Sequence, residues 1–238
     1  MRKIILIALT LSISLTVFSQ TLILRSGFHS EKANVPNNGM LFHGITFTSP
    51  AVDLLLSFNL SENISFQTGL KYIPYENCAG IKLPEFIGMW TGNPLYQALG
   101  VPLLINTRLP IKLNRFKIYI ITGIVPTYTF AKESNIFTYS AWKSDISSLY
   151  RITEIHRVSD RKFNMLLNTG IGVSYSFKHF DIGLITEYHS GTYTVVTSDI
   201  IIEHIESGVI YNYQATSKGS FFTINAEIAF PLFKPKNN

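Results

Sequence analysis

The stretch from Phe163 to Phe177 decides the fold, and it reads FNMLLNTGIGVSYSF. Apart from Thr169, every second residue from Phe163 onward is apolar or aromatic. The residues between them are Asn, Gly or Ser, with Leu166 the one exception. Side chains that alternate with period two lie on opposite faces of a β-strand, whereas a helix repeats every 3.6 residues. The pattern predicts a strand, and one much longer than the usual length of about 5–6 residues.

The same alternation recurs along the chain and predicts about eight long strands. The other segments that carry it are Thr21–Phe28, Val52–Leu60, Asn63–Pro74, Leu95–Leu109, Phe116–Phe130, Phe180–His189 and Lys218–Phe233. An even number of long strands is typical of bacterial outer-membrane barrels.

Short and long connections alternate between these strands. The tight turns are Ser61–Asn63, Pro110–Asn114 and Lys178–His179, and the longer loops are Ser30–His43, Glu76–Pro94, Ala131–Lys162 and Thr197–Ser217. Short periplasmic turns at one end and long extracellular loops at the other are typical of outer-membrane barrels.

The N-terminus has the composition of a secretory signal peptide. Arg2 and Lys3 precede an apolar segment, Ile4–Phe18, and the pattern predicts cleavage before Gln20. The domains predicted are therefore a signal peptide, residues 1–19, and a barrel domain, residues 20–238. An uncleaved N-terminal anchor remains an alternative.

The composition agrees with a membrane protein that crosses with strands. The chain is 46% hydrophobic and only 15% charged, and its mean hydropathy is +0.21. This composition excludes intrinsic disorder. Yet no stretch after residue 20 reaches the roughly 20 apolar residues that a membrane helix needs. Because only helices and closed barrels satisfy every backbone group in lipid, we expect an all-β, eight-stranded antiparallel transmembrane β-barrel in the cell outer membrane. A secreted lipocalin-like barrel, with an apolar pocket and a polar exterior, is the alternative.

Several other classes of function receive no support from the sequence. Without Arg2 and Lys3 the chain has 18 basic and 15 acidic residues, a formal charge of +3 that is too small and too scattered to predict nucleic-acid binding. Cys78 is the only cysteine, and no Cys/His cluster has the spacing of metal ligands. We therefore expect no internal disulfide, no metal and no cofactor.

Charged residues fall on the polar face of the predicted strands. Assigning the apolar face to lipid points four cations and four anions into the lumen: Arg25, Lys71, Arg108 and Lys117, with Asp53, Asp181, Glu187 and Glu227. An eight-stranded barrel is narrow enough for side chains to fill it. We therefore predict an interior network of ion pairs and amides with no wide aqueous pore. A narrow proton or ion path through these groups remains an alternative.

A catalytic site is a further alternative. Glu187 and His189 share a face of one predicted strand, so the carboxylate is placed to orient the imidazole as a general base for Ser190 or Ser174. Ser190, however, alternates to the opposite face. A lumen that needs paired polar groups explains Glu187 and His189 without catalysis, and we expect the protein not to be an enzyme.

Two pairs of segments resemble small outer-membrane barrels of the Bacteroidetes type. The first pair is YQALGVPLLI, Tyr96–Ile105, with ITGIVPTY, Ile121–Tyr128; the second is NTGIGV, Asn168–Val173, with ITEY, Ile185–Tyr188. On these segments the chain resembles the PorT-like outer-membrane β-barrel family. That resemblance implies a barrel, and it implies an association with a gliding or secretion machine for some members.

Together these features predict a barrel with a structural or interaction role, including that of an accessory subunit of an envelope or secretion machine. A lipid-modifying enzyme and a narrow channel are the alternatives. The expected partners are outer-membrane lipids and lipopolysaccharide, for which the basic loop Ala131–Lys162 is the candidate, and other envelope proteins. Asp199–Tyr213 is rich in Ile and Tyr and is a candidate binding ridge beyond the membrane.

Overall fold

The computed structural model describes residues 20–31, 41–42, 49–76, 80–81, 89–90, 95–111, 114–130, 135–143, 146–158 and 162–232. The predicted signal peptide, residues 1–19, lies outside the described residues. No helix in these ranges is long and apolar enough to cross a membrane.

The described residues form sixteen strands. In chain order they are β1 (Gln20–Glu31), β2 (Leu41–Phe42), β3 (Ser49–Asn59), β4 (Ile64–Glu76), β5 (Gly80–Ile81), β6 (Met89–Trp90), β7 (Leu95–Gly100), β8 (Leu103–Arg108), β9 (Phe116–Thr129), β10 (Asn135–Lys143), β11 (Ile146–Val158), β12 (Phe163–Ser176), β13 (Asp181–Gly191), β14 (Val196–His204), β15 (Val209–Ser217) and β16 (Phe221–Pro231).

The long strands close into an antiparallel barrel with eight positions in its wall. The order around the wall is β1, β3, β4, β7 with β8, β9, β12, β13 and β16, and β16 pairs back with β1. Each of the eight alternating segments of the sequence contributes one position. The eight-stranded fold is therefore confirmed, and closure leaves no free edge in the barrel wall.

One wall position is interrupted, because β7 ends at Gly100 and β8 begins at Leu103. Pro102 has no backbone N–H to donate to the ladder. The register nevertheless continues, since Gly100 pairs with Thr127 and Leu103 with Ile124. The Val101 N–H donates to the Pro126 carbonyl at 2.9 Å. The single strand predicted for Leu95–Leu109 is thus two short strands in one register.

The polarity of the wall is that of a protein in lipid. Outward side chains such as Leu54, Leu184 and Ile171 are about half exposed, whereas inward Arg25, Lys71 and Glu187 are buried. At the outward positions of the barrel strands whose side chains are described, no residue is charged. A soluble barrel has the opposite polarity, so the lipocalin-like alternative is wrong.

Aromatic rings border the outward apolar band at both ends. Near the short turns, Phe116 contacts Tyr175 with ring centroids 5.0 Å apart, and Phe177 contacts Phe180 at 4.9 Å. At the other end, Tyr128 packs edge-on against Phe130 and Phe163 at 5.1 and 5.0 Å. Aromatic girdles of this kind lie at the two lipid–water interfaces of outer-membrane barrels.

All four predicted long loops contain strands, but only two of these loops contain long ones. The other two contain the two-residue strands β2, β5 and β6. Strands β10 and β11 lie within Ala131–Lys162, and β14 and β15 lie mostly within Thr197–Ser217. These four strands form one sheet in the order β10-β11-β14-β15. The order matches that of β9, β12, β13 and β16 in the wall, so half of the wall continues beyond the membrane. We call these four strands the extracellular sheet.

A charge on the outward face tests the position of the lipid. Ile171 is 53% exposed and lies midway between the two aromatic girdles. We expect Ile171→Arg to lower the free energy of unfolding by about 2–4 kcal/mol, because the cation enters hydrocarbon. The measurement is urea unfolding in lipid vesicles.

Gln214→Arg is the control, since Gln214 is exposed in the extracellular sheet. It should change the free energy by no more than about 0.5 kcal/mol. Equal losses in the two variants would contradict the assignment of the lipid face.

Candidate functional site

Arg25 lies at the centre of the lumen and joins three strands. Its Nε donates to Glu227 Oε2 at 2.7 Å, and its Nη2 donates to Gln67 Oε1 at 2.9 Å. Its Nη1 lies 3.6 Å from Glu187 Oε1. Arg25 itself has no exposed surface. A guanidinium presents five N–H donors in a plane, so this one side chain holds groups from β4, β13 and β16 together.

A second cation, Lys71, completes the central layer. Its Nζ donates to Asp53 Oδ2 at 2.8 Å and lies 3.7 Å from Glu187 Oε2. Glu187 also accepts hydrogen bonds from the amides of Asn168 at 2.9 Å and Asn225 at 3.4 Å. All these side chains are at least 95% buried. The desolvation cost of the buried charges is offset only because each one has opposite charges and donors around it.

Tyr119 extends the network across the lumen, and two glycines make room for it. A Cβ at Gly172 would lie 2.4 Å from Cζ of Tyr119, and one at Gly183 would lie 3.4 Å from its hydroxyl oxygen. With that space free, the Tyr119 hydroxyl donates to Glu227 Oε1 at 3.2 Å. A larger residue at Gly172 would displace the ring and break this hydrogen bond.

An aromatic layer lies on the extracellular side of the ion pairs. The His189 ring stacks on Phe221 with centroids 4.3 Å apart, and His29 contacts the same Phe221 ring at 5.0 Å. All three residues are essentially fully buried. Farther out, the Ser217 hydroxyl donates to the buried Glu31 carboxylate. The lumen at this level is filled by side chains.

An apolar cluster occupies the rest of the lumen and was missed by the sequence reasoning. Its inward members from the barrel strands are Ile73, Ala98, Leu104, Ile121, Val125, Leu166 and Ile185. Leu166, the exception in the alternation of Phe163–Phe177, belongs to it. The cluster also includes Tyr119, whose hydroxyl reaches Glu227, so it adjoins the ion pairs. The apolar exceptions on the polar face were the signal in the sequence.

A cavity of about 260 Å³ lies beneath the central layer at the periplasmic end. Gln67, Tyr119 and Glu227 contribute to its lining, together with the turn Ser61–Asn63. The remaining lining includes the polar side chains of Ser57, Asn59 and Asn106 and the charged side chains of Arg108, Lys117 and Asp181. A lining of this polarity favours water over an apolar ligand.

The structure brings five of the eight predicted lumen charges together. These are Arg25, Asp53, Lys71, Glu187 and Glu227. Lys117 and Asp181 form a separate pair, with Nζ and Oδ2 2.7 Å apart, that is about one third exposed near the periplasmic mouth. Arg108 faces the same cavity but is exposed. Arg108 is the last residue of β8, at the periplasmic end of the barrel, where side chains are open to solvent.

The arrangement around His189 does not assemble a catalytic triad. Neither ring nitrogen of His189 has a hydrogen-bond partner among the described residues. Ser190 points to the other face of β13, and Ser174 pairs with Gly183, several residues along the strand. Within the described ranges, no group of three His, Cys, Asp or Glu side chains is placed to hold a metal ion.

Removal of the central cation tests its role in the network. We expect Arg25→Met to lower the free energy of unfolding by about 3–5 kcal/mol, because Glu227 and Glu187 remain buried without it. Adding Glu227→Gln should restore part of the loss. Urea unfolding in vesicles measures both.

Arg151→Met is the matched control. Arg151 pairs with Glu203 at 3.1 Å on the exposed face of the extracellular sheet. An exposed pair contributes about 0–1 kcal/mol. A loss at Arg25 as small as that at Arg151 would mean that the lumen is more hydrated than this packing implies.

Comparison with known proteins yields fold neighbours only. No family model and no curated protein matches the chain. Among solved structures, the chain is similar to outer membrane protein OprG from Pseudomonas aeruginosa, at 12% identity and a TM-score of 0.45, covering 90% of this chain and 97% of that one. It is also similar to Neisserial surface protein A, at 8% identity and a TM-score of 0.43, with coverage of 90% and 97%. A third is Ail, the attachment invasion locus protein of Yersinia pestis, at 10% identity and a TM-score of 0.38, with coverage of 90% and 99%.

The chain's own geometry carries the assignment. The wall is closed, its outward face is apolar between two aromatic girdles, and its inward face holds the charged residues. Such a surface is stable only with lipid around it. The protein is an outer-membrane β-barrel with short periplasmic turns and an extended extracellular side.

Proposed function

We propose that this barrel does not conduct solutes and that it has a structural or interaction role at the cell surface. The observation that carries the proposal is the filling of the lumen around Arg25. Buried ion pairs and amides lie there in the same lumen as a buried apolar cluster. A solute would have to displace paired charges that are almost fully buried, at a cost of several kcal/mol.

The extracellular sheet supports an interaction role. Four strands of the wall continue beyond the outer girdle and add a surface that closure of the barrel does not require. The resemblance to PorT-like barrels supports the finer proposal that the protein is an accessory subunit of an envelope or secretion machine in a bacterium of the Bacteroidetes type.

A non-enzymatic role is part of the proposal. An acyl-transfer or hydrolase site needs a nucleophile within hydrogen-bond reach of its base. His189 is instead stacked on Phe221 in the interior. Its nearest serine along the chain, Ser190, faces away from the lumen.

Electrical recording tests the sealed lumen. Purified protein in planar lipid bilayers should give no steady single-channel steps, because the central layer closes the lumen. A general porin recorded in the same bilayers serves as the positive control and should conduct. Large, steady steps from the unmodified protein would overturn the proposal.

The basic loop Ala131–Lys162, which contains the β10–β11 hairpin, offers a second test, that of the proposed lipopolysaccharide partner. Residues 131–162 contain six basic side chains, Lys132, Lys143, Arg151, Arg157, Arg161 and Lys162. Each cation near an anionic surface contributes about 1 kcal/mol. We therefore expect Lys143→Gln with Arg157→Gln to weaken lipopolysaccharide binding by about tenfold or more at low salt.

The control for this test is Arg108→Gln at the periplasmic mouth, which should leave binding unchanged. Binding is measured by titration of the detergent-solubilised protein at two salt concentrations. If the variants bind as the unmodified protein does, the hairpin is not the lipopolysaccharide site.

A further inference from the structure

The β14–β15 hairpin is a long arm that is anchored at its base. Its two strands are nine residues each and pair along their whole length, from Val196 with Ser217 to His204 with Val209. At about 3.3 Å per residue, the arm reaches about 30 Å beyond its base. At that base, the Asn164 amide donates to the Lys218 carbonyl at 2.9 Å, and its oxygen accepts from the Tyr193 N–H at 3.1 Å. These bonds tie the arm to the barrel rim.

The turn at the end of the arm is held in one conformation. The Gly208 N–H donates to the His204 carbonyl at 2.8 Å, and Gly208 has a φ of 66°, which favours glycine. The Ser207 N–H donates to Nδ1 of His204 at 3.2 Å. The His204 ring packs edge-on against Tyr150 of β11, with centroids 4.9 Å apart. A turn with this many internal contacts loses little entropy when a partner binds.

Aliphatic side chains are exposed at this turn, far from the lipid band. Ile205 is 39% exposed, Val209 44% and Ile210 57%. In contrast, Ile200 and Ile202 of the same arm are completely buried. Val209 and Ile210 are consecutive in β15 and point to its two faces, so apolar side chains lie on both sides of the tip. Branched aliphatic side chains exposed in this way mark an interaction surface rather than a folding requirement.

The charge of the arm indicates which partner fits. Residues 191–217 contain Asp199, Glu203 and Glu206 and have neither Lys nor Arg. Asp199 accepts a hydrogen bond from Gln214 at 2.9 Å, and Glu203 pairs with Arg151. Glu206 is exposed within the turn. A negative arm is repelled by the phosphates of lipopolysaccharide and by anionic membranes, and it attracts a basic surface.

We propose that the arm tip, formed by Ile205, Glu206, Val209 and Ile210, is the docking site for a protein that presents an apolar cleft bordered by Lys or Arg side chains. The aliphatic side chains fill the cleft and Glu206 pairs with the basic border. This inference rests on the proposed interaction role and adds the surface and the chemistry of the partner. It assigns the two hairpins of the extracellular sheet to different partners, since residues 131–162 carry a net charge of +2 and residues 191–217 a net charge of −3.

Site-specific photocrosslinking in living cells tests the proposal. A benzophenone amino acid replaces Asn212, which is exposed and close to the tip but outside it. Light should give one protein adduct whose crosslinked peptide, identified by mass spectrometry, lies beside apolar residues and Lys or Arg. The triple variant Ile205→Ser, Val209→Ser, Ile210→Ser should lower the adduct yield by about tenfold or more.

The charge contribution has its own matched pair of variants. Glu206→Lys should lower the adduct yield severalfold, whereas Glu62→Lys, the same change in an exposed periplasmic turn, should not. Heat-modifiable migration in gels confirms that every variant is folded. The proposal is overturned if the adduct yield is the same in the triple variant or in Glu206→Lys as in the unmodified protein. It is also overturned if the only adduct is with lipopolysaccharide or with a second copy of the chain.

A second crosslinker position separates this inference from the proposed function. The benzophenone residue is placed at Thr153 of β11, on the other hairpin. Protein adducts at Thr153 and none at Asn212 would overturn the assignment of the arm tip as the docking site. The proposed interaction role of the protein would then still stand. Adducts at neither position, together with steady channel currents, would overturn both.

Discussion

In lipid, no water replaces a missing backbone hydrogen bond, and the rest of the structure depends on that constraint. It requires the wall to close, which it does through pairing of β9 with β12 and of β16 with β1. Closure of eight positions defines a narrow interior. It also divides every strand into a lipid face and a lumen face, so each charged residue of the wall must point inward and find partners there.

The filled lumen follows from this division. Arg25 and Lys71 together face Asp53, Glu187 and Glu227, and Gln67, Asn168 and Asn225 satisfy much of their remaining hydrogen-bonding capacity. Gly172 and Gly183 provide the space in which Tyr119 reaches Glu227. The network specifies how the strands face one another more than it adds net stability, because burying the charges costs about as much as pairing them returns. We therefore propose that the functional surface lies outside the lumen, on the extracellular sheet.

Much of this arrangement was predictable from local pattern. Alternation in Phe163–Phe177 identified the lipid face, and the charges on the opposite parity identified the lumen residues. Of the extracellular sheet, only a ridge at Asp199–Tyr213 was predicted, and it corresponds to the β14–β15 hairpin. The sheet as a whole was not predicted, because the consecutive Ile200, Ile201 and Ile202 hide a period of two that burial reveals. Arg108 lies on the same inward face of its strand as Asn106, yet it is exposed. The alternation along a strand predicts which face a side chain is on, but not how far along the barrel axis it lies.

The sequence by itself determined the strand count, the faces and the sidedness of the barrel, since each depends on residues that are neighbours along one strand or one turn. The tertiary structure decided which charges meet, where the aromatic layer and the apolar cluster lie, and that Pro102 divides a strand without shifting its register. It also decided that Ile205, Val209 and Ile210 share one exposed tip while Ile200 and Ile202 are buried. These properties depend on the stagger of the strands around the barrel and on contacts between residues that are distant in sequence. No local pattern encodes either of them.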